Sequence, residues 1–376
     1  MNSDLNIKKI AFIAVTEKGK ALAYELKQLI GSGEIYVSKK LAGEGSISFG
    51  ESLKVEVGKL FKNYEALVFI MATGIVVRSI APYIESKFTD PAIVVLDEQG
   101  QNVISLLSGH MGGANELTRF ISEAISAHAV ITTSTDINEV AALDNIAKKM
   151  HGYIADFRES VKEVNYALVH HEKIGLYIQD VPEYEIDQRG FIVLEQIDLA
   201  RGIGVSKASG QAVLLNELKI LVYITRKQLK ILENQDIIER AKLPRIIKVV
   251  PRDLTLGMGC KRNTLSTHFI NSFYQFMDEN DIDANAIYKV GSIDLKKDEK
   301  AMQDLAHMLK VPFEIIDRKE VLEVEDLFEK SEFVKKNVGV YSVAEPVAYL
   351  LSGRQLVVHK AKIAGTTWAV GKTVKR

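Results

Sequence analysis

The chain has 376 residues, 47% hydrophobic and 26% charged, enough to build more than one core, so two or three domains are expected. Forty-eight basic side chains stand against 49 acidic ones, a formal net charge of −1, so no global positive field points to nucleic acid or to an anionic membrane. The single cysteine, Cys260, excludes an intramolecular disulfide and any cysteine-rich zinc or iron–sulfur site.

The amino-terminal stretch Met1-Asn2-Ser3-Asp4-Leu5-Asn6 carries no basic segment followed by a secretory apolar core. No uninterrupted apolar run is long enough to span a bilayer, so a soluble protein of the cytoplasm is expected. From there short apolar runs alternate with amphipathic helical patterns. Strands are predicted at 10–15, 34–37, 66–71, 92–96, 103–107 and 130–133, with helices at 18–30 and 52–63. Such alternation implies βαβ crossovers and a mostly parallel sheet. In open sheets of this kind ligands bind beyond the carboxyl ends of the strands, where Thr73-Gly74 and the turn carrying His110 are both expected.

That turn, Ser108-Gly109-His110-Met111-Gly112-Gly113-Ala114-Asn115-Glu116, joins a strand pattern to a helix pattern on which Leu117, Phe120, Ile121 and Ile125 share a face. Amides at a helix start lack intrahelical acceptors, so Gly112 and Gly113 are candidate donors to a carboxylate or an oxyanion. On the structural side, Ser108 or Asn115 would simply cap the helix and His110 would make a local hydrogen bond. The run has neither a Walker Gly-Lys-Ser/Thr end nor the G-x-G-x-x-G spacing of a dinucleotide site.

From about 136 to 244 the pattern is less regular, with helices at 139–150 and 160–170 and strands at 173–178, 191–194, 212–215 and 219–224, which reads as a small α+β domain. His170-His171 does not read as a metal site, because consecutive helical side chains diverge, and Gly202-Ile203-Gly204 reads as a turn. Lys242-Leu243-Pro244-Arg245 is a linker. Beyond it strands at 254–258, 286–290 and 313–316 alternate with helices at 264–279 and 300–309, then a helix at 342–351 and an antiparallel pair at 355–359 and 366–370. The expected fold class is therefore α/β: an α/β domain over 1–135 with a mostly parallel sheet, a middle α+β domain over 136–244, and an α/β domain over 245–376.

In the last domain, Leu256-Gly257-Met258-Gly259-Cys260-Lys261-Arg262-Asn263-Thr264 sets a Gly-x-Gly turn and two cations before a helix, so Gly257, Gly259, Lys261 and Arg262 are candidate anion ligands and Thr264 a cap. Cys260 has no adjacent histidine and reads as a bystander thiol. Asp294, in Ser292-Ile293-Asp294-Leu295-Lys296, would orient a cation or open a helix.

Taken together these segments resemble the CbiG family, the cobalt-precorrin-5A hydrolases of the anaerobic cobalamin pathway. The resemblance rests on Ala72-Thr73-Gly74-Ile75-Val76-Val77-Arg78-Ser79-Ile80-Ala81-Pro82, Asp90-Pro91-Ala92-Ile93-Val94-Val95-Leu96-Asp97-Glu98 and Leu106 to Asn115 in the first domain. In the last domain it rests on Leu256 to Thr264, Ser292 to Lys296 and Ser342-Val343-Ala344-Glu345-Pro346. Asn263 stands where the family pattern has glycine, and asparagine tolerates the left-handed backbone better than most residues.

The resemblance implies hydrolysis of a δ-lactone with release of acetaldehyde, water as cosubstrate, no protein-bound cofactor or metal, and cobalt carried inside the tetrapyrrole substrate. It implies no nucleic acid or membrane partner, and leaves a homodimer and transient contact with pathway methyltransferases as further candidates. For such chemistry His110 is the leading general base, with Glu116 the alternate. Thr73, Gly74, Arg78, Gly112, Gly113, Asn115, Gly257, Gly259, Lys261, Arg262, Thr264 and Asp294 are the candidate substrate-binding residues. A non-catalytic corrinoid carrier and a nucleotide-binding enzyme are the alternatives, the latter disfavoured by the missing phosphate-loop spacings.

Overall fold

The computed structural model describes residues 7, 9–50, 52–179 and 185–373, and it forms two compact units, Met1–Asn145 and Ile146–Arg376. The expectation about residues 1–6 falls outside the described residues. Among the described residues no helix is long and apolar enough to cross a membrane.

The first unit holds strands β1 (Ile10–Ala14), β2 (Glu34–Val37), β3 (Ile47–Ser48), β4 (Ala66–Ile70), β5 (Ala92–Leu96), β6 (Asn102–Leu107) and β7 (His128–Val130). Its helices are α1 (Glu17–Ile30), α2 (Leu53–Asn63), α3 (Thr73–Ile80), α4 (Ala114–Ala124) and α5 (Ser134–Ile137), and α6 (Leu143–Lys149) begins in it. β1, β4 and β5 are buried at every position, as a central strand with both faces covered must be, which explains their unbroken apolar sequences. One core packs α1 and α4 onto one face through Leu26 and Leu117, and a second packs α2 and α3 onto the other through Leu60 and Val76. α1 and α2 start where the sequence supplies caps: Thr16 accepts from the Gly19 amide at α1 and Ser52 from the Val55 amide at α2.

The sheet order is β3-β2-β1-β4-β5-β6-β7. The first five strands run parallel, but β6 runs antiparallel to β5, with Leu96 opposite Val103 and Ile93 opposite Leu107, and β7 follows β6. The reversal is physical necessity, because only Asp97 to Gln101 separate β5 from β6, and a parallel crossover needs roughly a dozen residues. The antiparallel β6 therefore separates Thr73-Gly74 from the His110 turn. Each lies beyond the carboxyl end of its own strand, but those ends sit on opposite edges of the sheet, about 16 Å apart for a five-residue strand.

The second unit contains two sheets. One has the order β11-β10-β9-β8-β12-β13, made of β8 (Ile174–Ile178), β9 (Ile192–Asp198), β10 (Ile203–Ser206), β11 (Ala212–Leu214), β12 (Ile220–Ile224) and β13 (Arg245–Val249), with helices α7 (Phe157–Val169) and α8 (Gln235–Ala241). β9, β8, β12 and β13 are parallel, and β10 pairs antiparallel with both β9 and β11, so this region has more α/β character than expected. The expected linker ends in strand, since Arg245 pairs with Ile220, and the middle sheet continues to Val249. Gly204 lies inside β10 rather than in a turn. His170 closes α7, its Nδ1 2.8 Å from the Tyr166 carbonyl.

The other sheet, β16-β15-β14-β18-β17, is built from β14 (Leu254–Gly259), β15 (Ile287–Ile293), β16 (Phe313–Ile316), β17 (Leu356–Ile363) and β18 (Thr366–Lys372). Its helices are α9 (Ser266–Glu279), α10 (Lys300–Leu309), α11 (Arg318–Val324), α12 (Glu332–Val338) and α13 (Ala344–Ser352). The closing antiparallel pair is as the sequence predicts. Trp368, fully buried against Phe269 and Phe273 of α9, centres this core.

Candidate active site

The His110 turn is a closed polar knot. Gly113 takes a left-handed φ of 89° as the N-cap of α4, and its amide donates to the His110 carbonyl at 3.1 Å. The Ala114 and Asn115 amides donate to the carbonyls of Ser108 (3.2 Å) and Gly109 (3.0 Å). A Cβ at Gly112 would lie 2.4 Å from that of Ser108, so the turn closes on itself. The buried Asn115 side chain accepts from Ser105 at 2.6 Å and donates to Thr133 at 2.9 Å and to Asp136 at 2.8 Å. The Gly113 amide and the Asn115 amide and side chain, among the candidate substrate groups, thus hold together the chain reversal between β6 and α4.

His110 sits between two carboxylates. Nε2 lies 3.1 Å from Asp136 Oδ2 and 3.0 Å from the Thr135 hydroxyl, and Nδ1 lies 3.4 Å from Asp144 Oδ2. Burial alone would lower its pKa, but the hydrogen bonds and charges of Asp136 and Asp144 outweigh that and raise it to about 9. Asp136 also accepts from Arg119 and Thr133, and these bonds, with that to His110, hold its carboxyl well below the usual range against burial. At neutral pH the ring is thus an imidazolium with both N–H groups engaged. It has no lone pair to take a proton, so its chemistry there is that of a donor and an anchor. Glu116 is exposed in the first turn of α4.

On the opposite edge of the same sheet lies a cavity of about 590 Å³. Ile70, Met71, Ile75 and Ile104 make it apolar, while Thr16, Thr73, Asp97 and Glu98 supply polar groups. It opens where the chain leaves adjacent strands β1 and β4 in opposite directions, the switch point at which open α/β sheets bind ligands. Thr73 starts α3 here, and the cap residue Ala72 offers no side-chain acceptor. Asp97 is consumed by the β5–β6 turn, accepting from the amides of Gln99, Gln101 and Asn102. Glu98 is exposed and accepts one hydrogen bond, from Thr16 at 2.8 Å. Gly74 and Arg78 are exposed on α3, and the Arg78 guanidinium donates to the Gly74 carbonyl at 2.9 Å.

In the last sheet Gly257 and Gly259 belong to β14, not to a turn. A Cβ on Gly257 would lie 1.9 Å from the Ala344 carbonyl, and one on Gly259 2.3 Å from the Thr367 hydroxyl. These glycines let α13 and β18 pack closely. The turn proper begins at Cys260. Asn263 takes a φ of 58°, the left-handed conformation its identity suggested, and Thr264 donates to the Lys261 carbonyl at 2.8 Å instead of capping α9. Lys261 and Arg262 are exposed, and among the described residues neither side chain has an ion-pair partner. Asp294 accepts from Arg318 Nε at 2.7 Å and also opens the short 3-10 helix Asp294–Lys296, so both of its readings meet in one residue. Burial pushes the Cys260 thiol up, against a smaller effect from Thr264.

Sequence reasoning did not find Glu98, Asp136 or Asp144. The five-residue gap after β5 was the available signal for Glu98, since a hairpin there exposes its tip at the carboxyl edge. Nothing local marks Asp136 and Asp144, which reach His110 only through the fold.

The chain thus has an open, doubly wound sheet with a ligand-sized cavity at its switch point, followed in sequence by two further α/β sheets. Its relatives are specific. The model for the cobalamin synthesis G N-terminal region matches residues 56–136, that for the cobalamin biosynthesis central region 141–240, and that for the cobalamin synthesis G C-terminus 254–371. The chain is 38% identical over 96% of its length to the cobalt-precorrin-5A hydrolase of Salmonella typhimurium LT2, covering 97% of that protein. It is 32% identical over 96% of its length to the cobalt-precorrin-5A hydrolase of Priestia megaterium, covering 94% of it. A Methanocaldococcus jannaschii protein named a probable cobalt-precorrin-5A hydrolase is 26% identical over 96% of this chain and 98% of its own. The chain belongs to the cobalamin synthesis G (CbiG) family.

Proposed function

We propose that this chain is a cobalt-precorrin-5A hydrolase, which adds water across a δ-lactone and releases acetaldehyde to leave cobalt-precorrin-5B. The observation that carries the reading is near full-length identity of 38% to a protein of that name. Water is the cosubstrate, the cobalt belongs to the tetrapyrrole, and no resident cofactor is called for. A cytoplasmic location belongs to the same reading.

In the second unit Lys261 and Arg262, exposed, are candidate ligands for acetate or propionate arms of the substrate; in the first unit Arg78 on α3 is a separate candidate. Thr73, which lines the cavity, and Gly74, the next residue of α3, are candidate contacts for it. Thr264 and Asp294 would shape the basic turn and its surroundings through the Lys261 carbonyl and Arg318. His110 would act as a fixed cation that ties β6, α4, α5 and the start of α6 together, and Glu116 remains available to a ligand at that edge. A homodimer, or passing contact with the methyltransferases on either side of this step, would be additional to this arrangement.

The test is turnover of cobalt-precorrin-5A by the purified protein, with acetaldehyde read by a coupled dehydrogenase. Many equivalents of acetaldehyde per protein support the hydrolase. Stoichiometric pigment binding with no acetaldehyde would replace it with a carrier.

A further inference from the structure

Glu98 is the residue of the Asp90-to-Glu98 motif that the fold leaves without a structural task. Its neighbour Asp97 builds the hairpin, whereas Glu98 projects at the tip, exposed, lining the switch-point cavity. The Thr16 hydroxyl, itself fixed because it also accepts from the Gly19 amide at 3.1 Å, donates to one Glu98 oxygen at 2.8 Å. One carboxylate oxygen is so oriented while the other is left for a ligand or a water. Across the cavity stands the start of α3. Its cap residue Ala72 brings no side-chain acceptor, so the first-turn amides at Thr73 and Gly74 are donors with partial positive charge behind them. Glu98 and Thr73, a proton acceptor and the first residue of α3, thus line one apolar-walled space of about 590 Å³, within the size range of small-molecule pockets, roughly 300–1,000 Å³. That volume admits the lactone edge of a tetrapyrrole, while the rest of the ring and its charged arms stay outside.

We propose that Glu98 is the general base of the hydrolysis and that the amino end of α3 receives the lactone carbonyl oxygen. This rests on the hydrolase reading above. In the first step Glu98 takes a proton from water as its oxygen bonds to the lactone carbonyl carbon, and the oxyanion forms against the α3 amides. Collapse breaks the acyl carbon–oxygen bond, and the departing alkoxide recovers the proton from Glu98. In the second step Glu98 removes that alcohol proton. The carbon–oxygen double bond of acetaldehyde forms, the bond between the extruded carbon and the ring breaks, and its electron pair enters the macrocycle, which takes the proton back. Water and lactone are consumed, acid and aldehyde appear, and no oxidant or reductant is required.

The experiment compares wild type, Glu98→Gln and Glu98→Asp with cobalt-precorrin-5A in single turnover, following acetaldehyde by the coupled dehydrogenase and pigment binding by visible absorbance. Gln keeps the hydrogen bond from Thr16 and sits at an exposed hairpin tip, so melting curves should superimpose. The expected result is acetaldehyde release slowed about 100-fold or more in Glu98→Gln with pigment affinity within about threefold, and partial recovery in Glu98→Asp. An active wild type with an equally active Glu98→Gln overturns the assignment of Glu98 alone. Parallel loss of binding and rate makes Glu98 a binding residue and also overturns it. A wild type that binds pigment but releases no acetaldehyde overturns the hydrolase reading and Glu98's role with it.

Discussion

Raising the pH should loosen the first unit through one side chain. A free imidazole titrates near 6.5, and His110, held between Asp136 and Asp144, near about 9. Its folded pKa is raised, so the stabilisation is fully present below about pH 6.5, declines as the unfolded chain stops binding the proton, and is gone above about pH 9. At 1.36 kcal/mol per tenfold, the difference corresponds to roughly 3 kcal/mol across that window. Asp136 does not blur the effect, since its depressed carboxyl keeps its charge until well below pH 4 and acts only on the acid side. The perturbation is His110→Gln, which keeps a polar side chain but cannot titrate. Because a chain with two units need not unfold in one step, the assay is hydrogen exchange of the peptides covering β6, α4 and α5, followed from pH 6 to 9.5 after correction for intrinsic rates. Wild type should lose local stability over this range while His110→Gln stays flat and starts lower. Equal pH dependence in the two proteins would refute the imidazolium.

Gly257→Ala should cost at least about 3 kcal/mol, since its Cβ would meet the Ala344 carbonyl at 1.9 Å and that atom is backbone; urea unfolding checks it, with Gly50→Ala, which meets nothing within 4 Å, as a near-neutral control. Lys261→Ala and Arg262→Ala should leave unfolding unchanged and weaken pigment binding, each by about fivefold or more at low salt and less at high salt, as absorbance titration at two ionic strengths would show. Cys260, its thiol pushed up by burial and packed against the core of the last sheet, should alkylate slowly with iodoacetamide at pH 8, and Cys260→Ser should keep its acetaldehyde release; rapid labelling with loss of activity would contradict this.

Strands with both faces buried were the most legible part of the sequence, because Ile10–Ala14, Ala66–Ile70, Ala92–Leu96 and Ile220–Ile224 must be apolar throughout. Their direction was less visible. Apolar content says nothing about orientation, and the hairpin at Asp97 to Gln101 decides it, carrying the His110 turn to the far edge. The short helix α3 also escaped, since Thr73-Gly74-Ile75-Val76-Val77 has poor helix formers and is held by Val76 and Ile80 packing on the sheet. The glycines at 257 and 259 stood out in the sequence, but what presses on them comes from Ala344 and Thr367, far along the chain, so their packing role was not legible there. The same distance hid Asp136 and Asp144 from His110, and with them the charge that turns a candidate base into a cation.

The most direct measurement is the reaction of cobalt-precorrin-5A with purified protein in oxygen-18 water, with mass spectrometry of the pigment and assay of the volatile product. Attack of water at the lactone carbonyl should place one oxygen-18 atom in the new carboxylate of the pigment and release one equivalent of acetaldehyde for each macrocycle consumed. A pigment product without the label, or pigment held unchanged with no aldehyde formed, would contradict the account.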